Sequence, residues 1–497
     1  MLSQDGRLAR RWQGTARLTQ GAARVPLRWT PPRMLTAGVY TLRLLARSGP
    51  EEVEQKRPVA VGKLRPLAVA GLVGVRVSTT GQVTAQATGA LGATAEPRDA
   101  TTGTAQAARP AQVAGEMTAA ESDEFDVVLG NLHSQTGHSD GGGAIPGCHG
   151  AQEPQSAAAR PAEAYGFALR HGLDFLLTSE HNHMYDGSEG TDANADPEQA
   201  RELYSDGLAQ ATGFNVAHPG FAALYGMEWG VIANGGHLNI LNSPVLLNWE
   251  RTGAGDVIGD LFAAKGDYGA LYTLMRQRGW LGQFNHPAQN QFRVDGKPLA
   301  WTEDGDAAMA LCEVMNSSAF SASMNEGETR HSFYEDSCNR LLEAGYHIAF
   351  SSNQDNHCAN WGADYGNRTG VLLPQGTALT PASLLEAIAA RRVFATMDKN
   401  SLLALTANGH IMGERFDNRG VLTLSIRFAS SSGRSVAALE IMEGVPGRNG
   451  EVKSLPGVAR GETTITPSPG QHFYYARITQ DDGRQLWSAP VWVNQLE

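Results

Sequence analysis

From residue 125 onward the apolar positions switch between two periods. Residues 125–129 (FDVVL) are a short apolar run that reads as a strand. Residues 161–171 (PAEAYGFALRH) carry apolar side chains at helical spacing and stop at Gly172. The segment DFLLTSEH then reads as a strand with a polar end. The unit recurs: DYGALYTLMRQRG predicts a helix before the strand WLGQFNHP, and ETRHSFYEDSCNRLLEAG predicts one before YHIAFSSNQDNH. Thr380-Pro381-Ala382-Ser383 opens a last helix, SLLEAIAARR. Repeated strand–helix units predict an α/β class with a mostly parallel sheet or barrel. In such folds the chemistry gathers where the strands end.

The flanks read differently. After about residue 400 the runs VLTLSIRF, AALEIME, HFYYARIT and LWSAPVWV alternate, with NG, DG and PG turns between them, which predicts a β-sandwich over residues 401–497. Residues 25–46 alternate around a Pro-Pro and an Ala-Gly turn and predict two strands of a small β-unit within residues 1–66. The segments GRLARRWQG and AGVYTLRLLA resemble the last strands of β-sandwich modules in bacterial secreted and flagellar-hook proteins. Between Tyr40 and Phe125 there is no Phe, Tyr or Trp, and residues 78–121 are rich in Ala, Thr, Gly and Gln. Such composition buries too little surface to offset the entropy of ordering. Residues 67–121 therefore read as a low-complexity linker, with small Val/Ala strands at 67–77 as the alternative. The α/β portion is bounded at 122–400.

Charge narrows the partners. Lys+Arg 40 against Asp+Glu 51 leaves a net −11 in 497 residues. A nucleic-acid polymer is not expected as a partner, because it needs a basic face to displace counterions. No apolar run approaches the roughly 20 residues that span a bilayer. Four cysteines (Cys148, Cys312, Cys338, Cys358) with no CxxC pair predict neither a disulfide framework nor a thiolate zinc site. The opening MLSQDGRLARRWQG has Arg7, Arg10 and Arg11 but no apolar core, so no secretory signal is expected in this chain. Those residues read as the middle of a β-domain, so the cytoplasm is favoured only if Met1 is the true start, and an extracytoplasmic location stays open if an upstream segment is missing. Compartment and oligomeric state stay open.

Histidine supplies the chemistry. Of 14 His, 12 lie between His133 and His357, and the first 132 residues have none. They sit with acids at five polar strand ends: GNLHSQTGHSDG (130–141), TSEHNH (178–183), YGMEWG with GGHLN (225–239), FNHP (284–287) and FSSNQDNH (350–357). Neutral imidazoles with carboxylates suit Zn, Mn or Fe better than Ca or Mg. Residues two apart on a strand face the same way, so His133 with Gln135, and Asp355 with His357, can each offer two groups to one side.

In order along residues 125–400, HSQTGHSDG, SEHNH, GMEWG, GGHLNIL, FNHPAQ and NQDNH resemble the motifs of the PHP (polymerase and histidinol phosphatase) superfamily of metallohydrolases. The branch they are most similar to includes carbaryl hydrolase-like enzymes. The resemblance implies a distorted seven-stranded β/α barrel, (β/α)7, holding two or three divalent ions, Zn or Mn before Fe. It implies that His133, Glu228 and Asp355 serve one ion, Glu228, His237 and His286 a second, and Asp140, His181 and His357 a third. Two positions depart from the pattern. Gln135 stands where a second imidazole is expected, and an amide oxygen is a weaker ligand. Glu180 stands where an Asp is expected; it can orient a ligand or a water. His138, near Asp140, is a candidate ligand or supporting group.

The implied reaction is attack of a metal-activated water on a phosphate ester, or on a carboxyl or carbamate ester, of a small molecule. Glu180, His181 and His183 are candidates to shuttle the proton. Asn353, Gln354 and Asn356 are candidates to bind substrate or water. Arg368 is a candidate to steady a phosphate or carboxylate, with surface pairing as the plainer reading. Two other classes compete. Gly137-His138-Ser139-Asp140-Gly141 fits GxSxG, the serine-hydrolase elbow, although the Gly-rich loop after it is not the helix an elbow needs. A binding or adhesion protein with a degenerate metal site is the third reading, and Gln135 is what supports it.

Overall fold

The computed structural model describes residues 38–48, 51–61, 75–77 and 125–497, except 233–234, 289–290, 295–296, 299–300, 449–450, 457 and 459–460. The first expected unit is present as strand β1 (Phe125–Asn131), helix α1 (Pro161–Arg170) and strand β2 (Phe175–His181). Pro161 begins α1, where its missing N–H is no loss, and the Glu163 carboxylate accepts the Arg160 N–H at 3.0 Å. Helix α2 (Pro197–Ala217) was not among the predicted elements. Gly207 interrupts its apolar stripe, but Asp196 caps it by accepting the Glu198 N–H at 2.9 Å.

Next come strands β3 (Ala222–Val231) and β4 (Gly236–Ile240), helix α3 (Tyr268–Arg278), and strands β5 (Gly282–Phe284) and β6 (Met309–Asn316). Helix α4 (Glu335–Ala344), strands β7 (Ala349–Asn353) and β8 (Arg368–Pro374), helix α5 (Pro381–Ala389) and strand β9 (Val393–Thr396) complete this portion. Helix α4 starts later than its sequence suggested. The Glu328 carboxylate turns the chain by accepting the Thr329 and Arg330 N–H groups, and Ser332–Phe333 pairs with the end of β6.

These strands belong to one large mixed sheet. Pairs β1–β2, β2–β3, β5–β6 and β6–β7 are parallel. Strand β4 runs antiparallel to both β3 and β5, and β8 antiparallel to both β1 and β9. The sheet is thus less parallel than expected, because a hairpin, not a helix, follows β3. Gly230 makes the hairpin possible: its φ is +116°, and a Cβ there would lie 2.3 Å from the Gly236 oxygen. Thr369 on β8 exchanges hydrogen bonds with the Ser352 backbone on β7 (3.0 and 3.1 Å). Beyond the regular strands, Asp355 donates its N–H to His133 O and Gln135 its N–H to Asn356 O, both at 2.9 Å. The chain after β1 and the chain after β7 therefore meet.

The C-terminal portion has two sheets. Strands β10 (Ser401–Ala407) and β11 (Leu422–Ser430) lie in a four-stranded sheet, while β12 (Val436–Gly444), β13 (Gly470–Gln480), β14 (Gln485–Ser488) and β15 (Val491–Leu496) lie in another. That second sheet continues into the α/β portion, because β9 pairs with β14. Buried Val127, Leu372, Leu403, Tyr474 and Ile478 share one apolar cluster.

At the other end, Gly38–Ser48 and Glu51–Val61 form an antiparallel hairpin, and Val75–Val77 pairs in parallel with β1. That last strand falls where the Val/Ala alternative placed one. The rest of the expected linker, and residues 25–37 of the expected β-unit, lie outside the described residues. The cysteine expectation is corrected: Cys148 bonds Cys358, and Cys312 bonds Cys338. The first pair, 210 residues apart in sequence, joins two distant loops, and the second, 26 apart, ties helix α4 to strand β6. Among the described residues no helix is long and apolar enough to cross a membrane.

Candidate metal centre

The polar tails of the strands converge. Three groups of side chains each place three ligand atoms within 4.8 Å of one another: His133, Glu228 and His286; His181, Glu228 and His237; and Asp140, His181 and His357. The third group is the one the motif resemblance implied. The other two are regrouped: His286 joins His133, and His181 serves beside His237 as well as beside Asp140. Asp355 lies in none of the three groups, but its Oδ1 is 3.1 Å from His133 Nε2 and 3.7 Å from His357 Nδ1.

Glu228 is the hub. Strand pairing sets it beside His181 on β2 and Asn239 on β4. Its Oε1 faces His237 Nδ1 at 2.9 Å and His286 Nε2 at 3.2 Å. Its Oε2 faces His133 Nε2 at 3.0 Å and His181 Nδ1 at 3.6 Å. Asn285 Nδ2 donates to Oε1 (2.9 Å) and Gln135 Nε2 to Oε2 (2.8 Å). His286 (φ 25°) and Asp355 (φ 52°) both hold left-handed backbone, which costs a non-glycine residue energy and concentrates at functional sites.

The donor set fits cations. Among the described residues, the ion-pair partners of Asp140, Glu228, Glu313 and Asp355 are all imidazoles. Several buried atoms with lone pairs have no hydrogen-bond partner: Gln135 Oε1, Asp140 Oδ1, His181 Nδ1, His183 Nδ1 and Asp355 Oδ1. Such groups are rarely left so in a protein interior. Burial opposes charge on Asp140, but His181 and His357 hold its carboxyl down to about 2. Burial likewise opposes charge on His357, yet Asp140 and then Asp355 lift it to about 9. The Glu228 carboxyl is held well below its ordinary range: burial works against this, and His133, His237 and His181 overcome it.

The remaining candidates separate. His183 packs its ring against Trp249 (centroids 5.5 Å apart) and lies 5.7 Å from the His181 ring. Burial, then His181 and His237, push it down to about 3, so it is neutral at pH 7. Glu180 does not face the cluster. Its carboxylate accepts the Thr136 N–H (2.9 Å), the Thr136 hydroxyl (2.6 Å) and the Ser139 hydroxyl (2.7 Å), which fixes the turn carrying Asp140. Ser139 is occupied by the same bond, and turns rather than a helix follow it, so the serine-nucleophile geometry is absent. His138 bonds the Tyr225 hydroxyl (2.8 Å) and joins none of the three groups.

Two of the substrate-binding candidates, Asn353 and Arg368, are corrected. Asn353 is buried and ties strands together, accepting the Leu132 N–H (2.8 Å) and the Thr369 hydroxyl (3.0 Å). The Arg368 guanidinium is buried and donates to the Tyr365, Asn367 and Gly362 carbonyls, where a surface role or a substrate contact had been expected. One residue went unread in the sequence. Glu313, buried on β6, contacts His133 Nδ1 at 3.3 Å and accepts the His286 N–H at 2.8 Å. A lone acid in the apolar run MALCEVMN carries no motif; its only signal is a charge where every neighbour is built for a core.

No family model and no curated protein matches the chain. Among solved structures, the extracellular domain of a protein from B. thetaiotaomicron aligns at 13% identity over 21% of this chain, with a TM-score of 0.13. The chain spans only 18% of that structure's length. An engineered protein aligns at 10% identity over 74% of this chain and 94% of its own (TM-score 0.20). An endo-beta-1,4-mannanase from Cellulomonas fimi aligns at 12% over 74% and 94% (TM-score 0.20). TM-scores this low describe no shared fold.

Proposed function

We propose that the chain is a metal-dependent hydrolase of the PHP kind, with residues 122–400 as a distorted (β/α)7 barrel. Its substrate is a small phosphate ester, or a carboxyl or carbamate ester. The observation that carries the reading is Glu228, a buried carboxylate whose two oxygens each face a different pair of imidazoles. That is the arrangement of a carboxylate shared by two cations. Ions held there supply Lewis acidity, lowering the pKa of a water and polarising the phosphoryl or carbonyl oxygen under attack. The side chains supply the rest. His133, His181, His237 and His286 converge on Glu228, while Asp140 and His357 complete the neighbouring position with His181. Neutral His183, its Nδ1 without a partner, can accept a hydrogen bond from a substrate or water beside them, but a ring held near 3 is too weak a base to take up the proton at pH 7. Glu180 positions the Asp140 turn and transfers none.

The test is elemental analysis of the purified chain beside His237→Ala and Asp355→Ala. Turnover of p-nitrophenyl phosphate and of a naphthyl ester and carbamate is measured with and without a chelator. Bound divalent ions, reduced in each variant, with turnover abolished by chelation, are the expected result. Metal content unchanged in both variants removes the reading. Gln135 favours one competitor, a binding protein with a reduced metal site. Bound metal with no turnover of any ester selects it.

A further inference from the structure

Strand β6 is a poor place for a charge. Met309, Ala310, Leu311, Cys312, Val314 and Met315 are all fully buried, and so is Glu313 among them. A buried carboxylate costs several kcal/mol unless hydrogen bonds and opposite charge compensate it. Three groups meet this one: His133 Nδ1 at 3.3 Å, the His286 N–H at 2.8 Å and Asn316 Nδ2 at 3.1 Å. Two of the three belong to residues of the same ligand group.

The contacts have consequences for both histidines. A carboxylate at Nδ1 places the proton of neutral His133 on that nitrogen, by the hydrogen-bond logic that fixes tautomers. The lone pair is then on Nε2, facing Glu228 Oε2 at 3.0 Å and Asp355 Oδ1 at 3.1 Å. A lone pair among acceptor oxygens is repulsive until a proton or a metal cation lies between them. His286 is held otherwise: its backbone N–H is the bonded group, and that bond stabilises a left-handed turn (φ 25°) that swings the imidazole to 3.2 Å from Glu228.

We propose that Glu313 is a positioning residue that orients His133 and His286 together, and so controls the affinity of the His133–Glu228–His286 position independently of the Asp140–His181–His357 position. The proposal rests on the cation reading above. Carboxylates behind ligating histidines are worth about 10–100-fold in metal affinity. Glu313 acts through two ligands at once, one by its side chain and one by its backbone.

The experiment is competition of the metal-free full chain against a chromophoric chelator, with Zn²⁺ alone as the probe. It compares the parent, Glu313→Gln, Glu313→Ala, His286→Ala and His357→Ala. Glu313→Gln is near-isosteric but cannot accept from both histidines without turning its amide donor toward one of them. It should weaken one ion about 10–100-fold and leave the ion affected by His357→Ala unchanged. Combined with His286→Ala, it should cost less than it does in the parent, because only its hold on His133 then reaches a ligand; combined with His357→Ala, the two losses should add. A parent that binds ions while both Glu313 variants bind every ion within about twofold, or weaken all of them equally, overturns the proposal alone. A parent that binds no ion overturns the cation reading and this one with it.

Discussion

Gln135 donates its side-chain amide to Glu228 Oε2 at 2.8 Å, while its own carbonyl oxygen is buried without a partner. The carboxylate that should be shared between cations is thus partly engaged by a neutral donor. Imidazole is the better ligand for Zn and Mn-type sites. Gln135→His should raise Zn²⁺ affinity at the His133–Glu228–His286 position at least tenfold, about 1.4 kcal/mol. Chelator competition reads it directly. Unchanged affinity means residue 135 does not reach that position.

The Cys148–Cys358 bond joins the segment after Asp140 to the residue after His357, and Gly143 and the 357–359 stretch exchange backbone hydrogen bonds beside it (3.0 and 2.9 Å). Closing so long a loop stabilises a fold by about 2–5 kcal/mol. The double variant Cys148→Ala/Cys358→Ala should lower the thermal midpoint. It should also weaken the Asp140–His181–His357 position while the His133–Glu228–His286 position keeps its affinity. Equal loss at both positions would show that the bridge acts on the whole fold.

Helix α2 poses a choice between two effects at Gly207. Alanine there gains about 1 kcal/mol of helix propensity. Yet a Cβ would lie 2.0 Å from the Tyr225 ring, whose hydroxyl holds His138 and Tyr185. Overpacking of that kind costs about 1–3 kcal/mol, so Gly207→Ala should be destabilising in a denaturation titration. A stabilised variant would place the ring elsewhere.

Asp364 gives the pH dependence. Burial, only partly opposed by the Ser317 hydroxyl, the Tyr365 N–H and Arg368, pushes its carboxyl up to about 7. An unfolded aspartate titrates near 3.9. The folded pKa is the higher, so the contribution of the neutral carboxyl is complete below about pH 4 and is lost as pH rises through 7. Asp364→Asn keeps an acceptor for the Tyr365 N–H and carries no charge at any pH. Its thermal midpoint should therefore fall less than the parent's between pH 5 and pH 8. Parallel curves would mean that Asp364 is already ionised at pH 5.

The sequence was legible where polar residues trail an apolar strand. His133, His181, His286 and Asp355 each follow such a run, and a parallel βα unit leaves those tails on one side. Glu228 and His237 were readable as residue types but not as a hairpin, because YGMEWG gives no sign that β4 turns back. Asn353 and Arg368 mark the opposite limit. They have the polarity of a binding site, but the interior needs the same groups to join β7 and β8 and to hold the 362–367 carbonyls. Glu180 shows how one methylene misleads: its place beside His181 was clear, and the direction of its carboxylate was not.

Strand β9 has a neighbour on each side, β8 from the α/β portion and β14 from the last stretch of chain. Removing the residues after 400 would therefore uncover a raw backbone edge on the sheet that bears the candidate metal centre, an open template for intermolecular pairing. The C-terminal strands are a sealed seam of the same fabric, and a shortened chain should be recovered as aggregate.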